Sequence, residues 1–399
     1  VTRKIAIVTG TRAEYGLLKR LIGRVHDCEL TELQLLVTGA HLSPEFGMTV
    51  GEIEADGFPI ADRVEMLLSS DSAVGVTKAT GLGMIGFADS FRRLEPDVVV
   101  LLGDRFEILG AAAAALFASI PIAHLHGGET TEGAFDEAIR HSVTKMAHLH
   151  FVAAEPYRRR VIQLGEDPER VFEVGGLGLD AIADLEALPR AELEKSLGWE
   201  FGAESLLVTY HPETIEGLDP SAQLTELLAA LDMRPQTHLL FTLPNADTGG
   251  RTLIAQIKDY VASRDNAVAH SSLGQHRFLS ALGYVDGVVG NSSSGLLEAP
   301  SFGIGTVDIG ERQAGRLTAA SVVRCDPERT AIAAQISRIL SPEFRSGLEH
   351  VANPYGSGGA ADAIFAVLRD CPLDNLLRKR FHDIVADGCK GAANTGGAN

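Results

Sequence analysis

The chain has 399 residues, nearly half of them apolar, which is long for one core and comfortable for two. Its 53 acidic residues outnumber 35 basic ones for a formal charge of −18, a field that repels nucleic-acid phosphates and anionic lipid. No apolar run reaches the ~18 residues of a membrane span, so neither nucleic acid nor membrane is an expected partner, and any anionic ligand must meet a locally positive site.

Val1–Lys4 leads straight into an apolar run without the stages of a secretory signal. The four cysteines (Cys28, Cys325, Cys371 and Cys389) are scattered, with neither metal-like spacing nor the density of a disulfide framework. Both features point to a reducing cytoplasm.

Short apolar runs alternate with longer amphipathic stretches. Strands are expected at Ile5–Val8, Leu33–Val37, Val98–Leu102, Ile120–Leu125 and Leu149–Ala153, with helices at Glu14–His26, Ser72–Leu94, Phe106–Ala118 and Glu132–Met146. After Gly175-Gly176-Leu177-Gly178 comes a polar stretch with an acidic helix. A second series then follows: strands at Leu206–Thr209, His238–Thr242, Val285–Val289, Thr306–Ile309 and Val322–Arg324, and helices at Asp219–Met233, Thr252–Arg264, Gln275–Leu282, Ser294–Phe302 and Glu328–Leu340. A last helix is expected at Leu373–Val385. The pattern predicts an α/β protein of two Rossmann-like, doubly wound domains facing a central cleft. The expected division is 1–177, a linker at 178–203, 204–370, a C-terminal helix within 371–387, and a disordered tail at 388–399.

Ligands of open α/β sheets bind at the carboxyl ends of the strands, so the residues just after each strand carry the functional information. Thr9-Gly10-Thr11-Arg12 is a strand–helix turn whose N–H groups and Arg12 suit a diphosphate, although the spacing is not that of a dinucleotide fingerprint. Gly103-Asp104-Arg105-Phe106-Glu107 follows the most apolar strand. Asp104 either enters the cleft or, with Glu107, forms a capping box for the next helix. In His124-Leu125-His126-Gly127-Gly128-Glu129, alternation puts the two histidines on one face, and no third zinc ligand is evident, so no metal is expected. Asp136 and Arg140 lie one helical turn apart. They form either a plain i,i+4 ion pair or a carboxylate held at the cleft by its arginine. His211 stands at a strand end before Pro212, placed either to donate to a phosphate or to cap a loop.

The run Gly290-Asn291-Ser292-Ser293-Ser294-Gly295 opens a helix with three hydroxyls, a geometry suited to phosphate, although serine capping explains it too. Glu298, one turn further on, is placed to accept from ribose hydroxyls, and Arg312 follows the next strand.

Seven ordered segments resemble the hydrolysing UDP-N-acetylglucosamine 2-epimerases, in particular the sialic-acid-pathway (NeuC-type) branch. They are Gly10–Leu18, Gly103–Glu107, His124–Glu129, Phe135–Lys145, Val208–Glu213, Leu243–Gly250 and Gly290–Pro300, and the similarity spans about residues 3–370. The resemblance implies a glycosyltransferase-B-like fold, often a homodimer, with no cofactor. It implies cleavage of UDP-GlcNAc to UDP and N-acetylmannosamine through a glycal, in nonulosonic (sialic-like) acid synthesis. The same chemistry on UDP-2,4-diacetamido-2,4,6-trideoxyglucose, the legionaminic acid route, is one alternative. A nucleotide-sugar binding module without turnover is another.

By the same resemblance, Asp104 and Asp136 match catalytic acids, and His211 a histidine near the leaving diphosphate. Arg12, Ser292, Ser293, Ser294, Gly295, Glu298 and Arg312 match nucleotide-side residues. Members of the family often carry a catalytic acid where this sequence has His126, and here the acid, Glu129, comes three residues later. Either His126 takes over that proton transfer or Glu129 reaches the sugar.

Overall fold

A computed structural model describes residues 2–70, 72–130, 135–212, 219–244, 250–348 and 350–384. The chain divides into two compact units. One comprises Val1–Glu129, Ala134–Val174 and Ile364–Asn399, the other Thr130–Gly133 and Gly175–Ala363.

The first unit runs β1 (Arg3–Thr9), α1 (Arg12–Asp27), β2 (Thr31–Thr38), α2 (Val50–Ala55), β3 (Ile60–Val64), α3 (Ala73–Leu94), β4 (Val98–Leu102), α4 (Phe106–Phe117), β5 (Ile122–Leu125), α5 (Phe135–Met146), β6 (Leu149–Val152), α6 (Glu155–Gln163) and β7 (Val171–Glu173). Its seven strands lie in the order β3-β2-β1-β4-β5-β6-β7, all parallel. Val98–Leu102 is buried throughout, as a central strand covered on both faces must be, which is why it has no polar alternation. The alanines of α4 let that helix pack closely between the sheet and α3, in one core with Phe87, Phe91, Val99 and Leu101. The strand order reverses between β1 and β4, the switch point where such sheets open a crevice at their carboxyl ends.

The second unit contains α7 (Asp180–Ala183), α8 (Arg190–Leu197), β8 (Ser205–Thr209), α9 (Pro220–Asp232), β9 (His238–Thr242), α10 (Gly250–Ala262), β10 (Ala267–His270), α11 (Gly274–Leu282), β11 (Gly287–Gly290), α12 (Ser294–Leu297), β12 (Gly305–Ile309), β13 (Val322–Cys325), α13 (Arg329–Ile339) and α14 (Pro342–Ser346). Its sheet is again parallel, in the order β10-β9-β8-β11-β12-β13, with its switch point between β8 and β11. The last helix, α15 (Ala360–Asp370), starts in this unit and ends in the first. Buried Asp180 caps its start, accepting from the backbone of Ala360 and Ala361 at 2.9 and 2.7 Å.

Four features depart from expectation. First, β3, β7 and β10 had no counterpart in the apolar pattern. They are edge strands, half-covered, each with too few consecutive apolar residues to read as a central strand. Second, residues 178–203 are not a free connector, because Leu193, Leu197, Trp199 and Phe201 pack with Leu207, Leu240 and Leu279 in a core of the second unit. Third, the helix expected at Ser294–Phe302 breaks after one turn into a 3-10 turn, Ala299–Phe302, where Pro300 cannot continue the ladder.

Fourth, the segment expected as a helix at Leu373–Val385 is not helical over its described part, 373–384. Tertiary bonds replace the helical ones. Lys379 Nζ donates to the carbonyls of Lys145 and Ala147 at 2.6 Å, closing the exposed end of α5, and His382 N donates to Gly165 O. The start of the Glu132 helix, Glu213, residues 245–249 of the Leu243–Gly250 segment and the tail at 388–399 lie outside the described residues. Among the described residues no helix is long and apolar enough to cross a membrane.

Candidate active site

At the end of β1, Gly10 N donates to Glu14 Oε2 at 2.7 Å while Thr11 Oγ1 accepts from Glu14 N at 3.3 Å. This reciprocal cap starts α1 and folds Glu14 inward, where burial pushes its carboxyl up to about 7 against the pull of the Gly10 bond and Arg105. Arg12, the first residue of α1, pairs with Glu52 at 3.2 Å, both side chains about half exposed.

At the end of β4, Asp104 does not cap α4. The cap position is Arg105, which makes no side-chain cap, so the capping-box alternative falls. Asp104 instead accepts from Arg140, whose side chain is 5 % exposed. Glu107, fully buried, takes Arg105 through two bonds of 3.2 and 3.0 Å, and Glu14 lies 3.8 Å from the same guanidinium. Two arginines thus divide the carboxylates between them. Arg140 also reaches Glu137 at 3.4 Å, and Glu137 engages His141 at 3.1 Å. The i,i+4 pairing expected for Asp136 and Arg140 does not form; Arg140 turns to Asp104 and Glu137 instead. Half-buried Asp136 has its carboxyl raised by burial, lowered in part by Arg105 and raised again by Glu107.

At the end of β5 the two histidines part company. His124 is fully buried, with Nε2 on Gly103 O at 2.8 Å and Nδ1 on Thr144 Oγ1 at 3.1 Å, and burial pulls it down to about 3. It is a neutral structural residue. His126 lies beyond the strand with φ +62°, so strand alternation no longer governs it. Its Nδ1 meets Glu129 Oε1 at 2.8 Å, and its buried Nε2 has no partner among the described residues. The Nδ1 contact with Glu129 orients the ring and leaves Nε2 as its open nitrogen. The turn between them requires glycine at 128, where φ is +78° and a Cβ would stand 2.4 Å from Tyr157 O. Among the described residues no three His, Cys, Asp or Glu side chains gather as a metal site.

In the second unit the ends of β8 and β11 are tied together by Asn291. Its Oδ1 accepts from His211 N at 2.7 Å, its Nδ2 donates to His211 O at 2.9 Å, and its own carbonyl accepts from Arg312 and Gln313 at 3.1 and 2.9 Å. The approach is possible only because Gly290 has φ +142°; a Cβ there would lie 1.9 Å from Thr209 O. Burial, then Arg312, pulls His211 down to about 4, so its ring is neutral and offers one N–H.

Ser292, Ser293 and Ser294 are half-buried, with Ser292 and Ser294 hydroxyls 3.2 Å apart, and Gly295 is buried against Thr306. With α12 a single turn, its helix dipole is weak, and the polar groups offered here are the hydroxyls and the nearby N–H groups, with Arg312 bonded to the Asn291 carbonyl. Glu298 has a buried Oε2 without a partner among the described residues, and burial pushes its carboxyl up to about 7 despite Arg316. The anticipated residues therefore fall into two groups. Asp104, His126, Glu129 and Asp136 gather with α5 at the strand ends of the first sheet. His211, Ser292–Ser294, Gly295, Glu298 and Arg312 gather at those of the second. Sequence reasoning gave no site role to Glu14, Arg105 and Glu107, which bond one another beside the first group, or to Asn291 and Gln313, which tie the strand ends beside the second. The Thr11-x-x-Glu14 box was a readable signal for Glu14.

The UDP-N-acetylglucosamine 2-epimerase family profile matches residues 24–369. The chain is 39 % identical over 384 residues to the GDP/UDP-N,N'-diacetylbacillosamine 2-epimerase (hydrolyzing) of Campylobacter jejuni, covering 96 % of this chain and 99 % of that one. It is 36 % identical over 384 residues to the polysialic acid biosynthesis protein P7 of Escherichia coli, covering 96 % and 98 %. Its fold is that of the UDP-GlcNAc 2-epimerase of Neisseria meningitidis solved with UDP-GlcNAc, at a TM-score of 0.70 and 19 % identity over 92 % of this chain and 99 % of that one. Two Rossmann-like units of glycosyltransferase-B type and homology along almost the whole length agree: the chain belongs to the UDP-N-acetylglucosamine 2-epimerase family, in its hydrolysing branch.

Proposed function

We propose that the protein converts UDP-GlcNAc and water to UDP and N-acetylmannosamine. The observation that carries this is the pairing, at the carboxyl ends of β4 and β5, of a carboxylate fixed by an arginine (Asp104–Arg140) with an imidazole fixed by a carboxylate (His126–Glu129). Inversion at C2 needs two proton-transfer groups on opposite faces of the sugar, each held in place and suited to its step. One group removes the C2 proton as UDP leaves C1, forming a glycal. Water then adds to C1, and a proton returns to C2 from the other face. Asp104, Asp136 and His126 Nε2 are the candidates, with Glu129 orienting His126. His211, Arg312, the hydroxyls of Ser292–Ser294 and the backbone at Gly295 receive the departing diphosphate, Glu298 the ribose, and Arg12 adds positive charge. Turnover of UDP-GlcNAc in deuterated water should release UDP and N-acetylmannosamine carrying deuterium at C2. Protium retained at C2 would discard the mechanism, and UDP binding without turnover would make the protein a binding module.

A second reading is favoured by the Campylobacter relative, named for the diacetylbacillosamine nucleotide. It keeps the chemistry and changes the substituents at C4 and C6, and turnover of the two UDP-sugars side by side separates the readings. Either product feeds nonulosonic acid synthesis, a cytoplasmic setting that suits the free thiols of Cys28, Cys325 and Cys371. A homodimer is supported by exposed Val74, Leu82 and Ile85 along α3 and Leu116 and Phe117 at the end of α4. Light scattering should give twice the chain mass, and the Ile85→Glu variant should shift it toward one.

A further inference from the structure

The first unit carries a second concentration of charge that the proposed reaction does not use. Glu166 follows α6, is 1 % exposed, and accepts from Lys145 at 2.5 Å, Lys379 at 2.7 Å and His150 at 2.9 Å. Burial opposes its ionisation, but these three bonds hold the carboxyl down at about 2. Burial lowers His150 in turn, so the surplus charge rests on the two ammonium groups.

Beside this hub lies a pocket of about 430 Å³ lined by Glu166, Asp167, Arg170, Arg378, Lys379 and Arg380. Its acidic side is outnumbered. Glu166 is neutralised by its lysines, and Asp167, which accepts from Glu169 N at 3.0 Å to start a turn, is one carboxylate against three arginines. Arg170 uses one nitrogen on Leu376 O at 2.9 Å, while Arg378 and Arg380 are exposed and have no ion pair among the described residues. In a chain of net charge −18, three guanidinium groups converge on one concave surface beside two lysines already satisfied internally. Like charges so placed repel one another unless an anion lies between them. The planar N–H forks of arginine match phosphate oxygens in pairs. The volume suits a small molecule and not a polymer.

We propose that this pocket binds a small phosphate-bearing anion, separately from the strand-end residues assigned to UDP-sugar turnover. The probe is inorganic pyrophosphate, titrated calorimetrically into the full-length protein and into an R378A/R380A variant. Pyrophosphate can also occupy a diphosphate site, so an H211A variant is titrated alongside. The wild type should show a binding event that H211A keeps and that R378A/R380A loses or weakens at least tenfold, with UDP affinity and turnover unchanged in R378A/R380A. The single variant R378Q, at an exposed position, should weaken the same event at least threefold and guards against misfolding of the double variant. Identical pyrophosphate isotherms for the wild type and R378A/R380A, in samples with matching circular dichroism, would overturn the proposal. Absence of UDP-sugar turnover by the wild type, with the pyrophosphate event intact, would count against the proposed reaction alone.

Discussion

The two sheets share one topology and put opposite chemistry at the same place. At the strand ends of the first, charges interlock: Asp104 with Arg140, Glu107 and Glu14 around Arg105, His126 with Glu129. At the switch point of the second, most groups are neutral: three serine hydroxyls, a neutral His211 and Asn291, which knits two strand ends together, with Arg312 supplying positive charge. Proton transfer needs groups whose position and protonation are set in advance, and ion pairs set both. Holding a diphosphate needs donors that give way little on binding, and a backbone fixed by an amide does that without adding charge. On the proposed reading, the fold supplies the place and the side chains assign proton transfer to one sheet and diphosphate binding to the other.

The sharpest way to break this contrast is Asp104→Asn, which keeps the shape and removes the charge. Turnover should fall about 10²–10⁴-fold with UDP affinity nearly unchanged, the expectation for a proton-transfer group. An equal loss in UDP affinity would put Asp104 on the binding side instead. Next is Gly290→Ala, which places a methyl group against Thr209 O. It should destabilise the protein by about 3 kcal/mol in urea unfolding, because both φ and space are wrong for alanine. An unchanged midpoint would mean that β8 and β11 are not locked as described.

Glu14→Gln tests the charged end through pH. The Glu14 carboxyl is raised from 4.5 to about 7 by burial, so the folded state holds its proton more tightly than the unfolded chain does. That contribution is fully present below about 4.5 and is lost as pH rises through about 7. The wild type should therefore lose stability between pH 5 and pH 8, and Glu14→Gln should remove up to about 3 kcal/mol of that loss. Equal slopes would show that Glu14 is ionised in the fold throughout. The smallest effect is expected at Glu298→Gln. An amide in place of the partnerless buried oxygen should weaken UDP binding about tenfold, the worth of one charged hydrogen bond, and leave the rate at saturation unchanged.

Much of the central architecture was legible, because a strand covered on both faces must be apolar throughout, as Val98–Leu102 and Leu206–Val208 are. Three of the four edge strands, β3, β7 and β10, and the 371–384 segment were not, since their conformation depends on partners elsewhere in the chain. Lys379 closes carbonyls at the end of α5, more than 230 positions earlier. Asp104 shows the same limit in the site. Asp-x-x-Glu describes a capping box equally well, and only the arrival of Arg140 from another helix decides against it.

The order of residues by itself therefore determined the family, the two α/β halves and which side chains stand at strand ends, because these follow from local periodicity and from motifs contiguous in the chain. Tertiary structure alone decided which arginine serves which carboxylate, that His126 rather than His124 keeps an open nitrogen, and that a basic pocket forms around residues 166–170 and 378–380. Burial and pairing distance set charge and protonation, and neither exists until distant segments have packed.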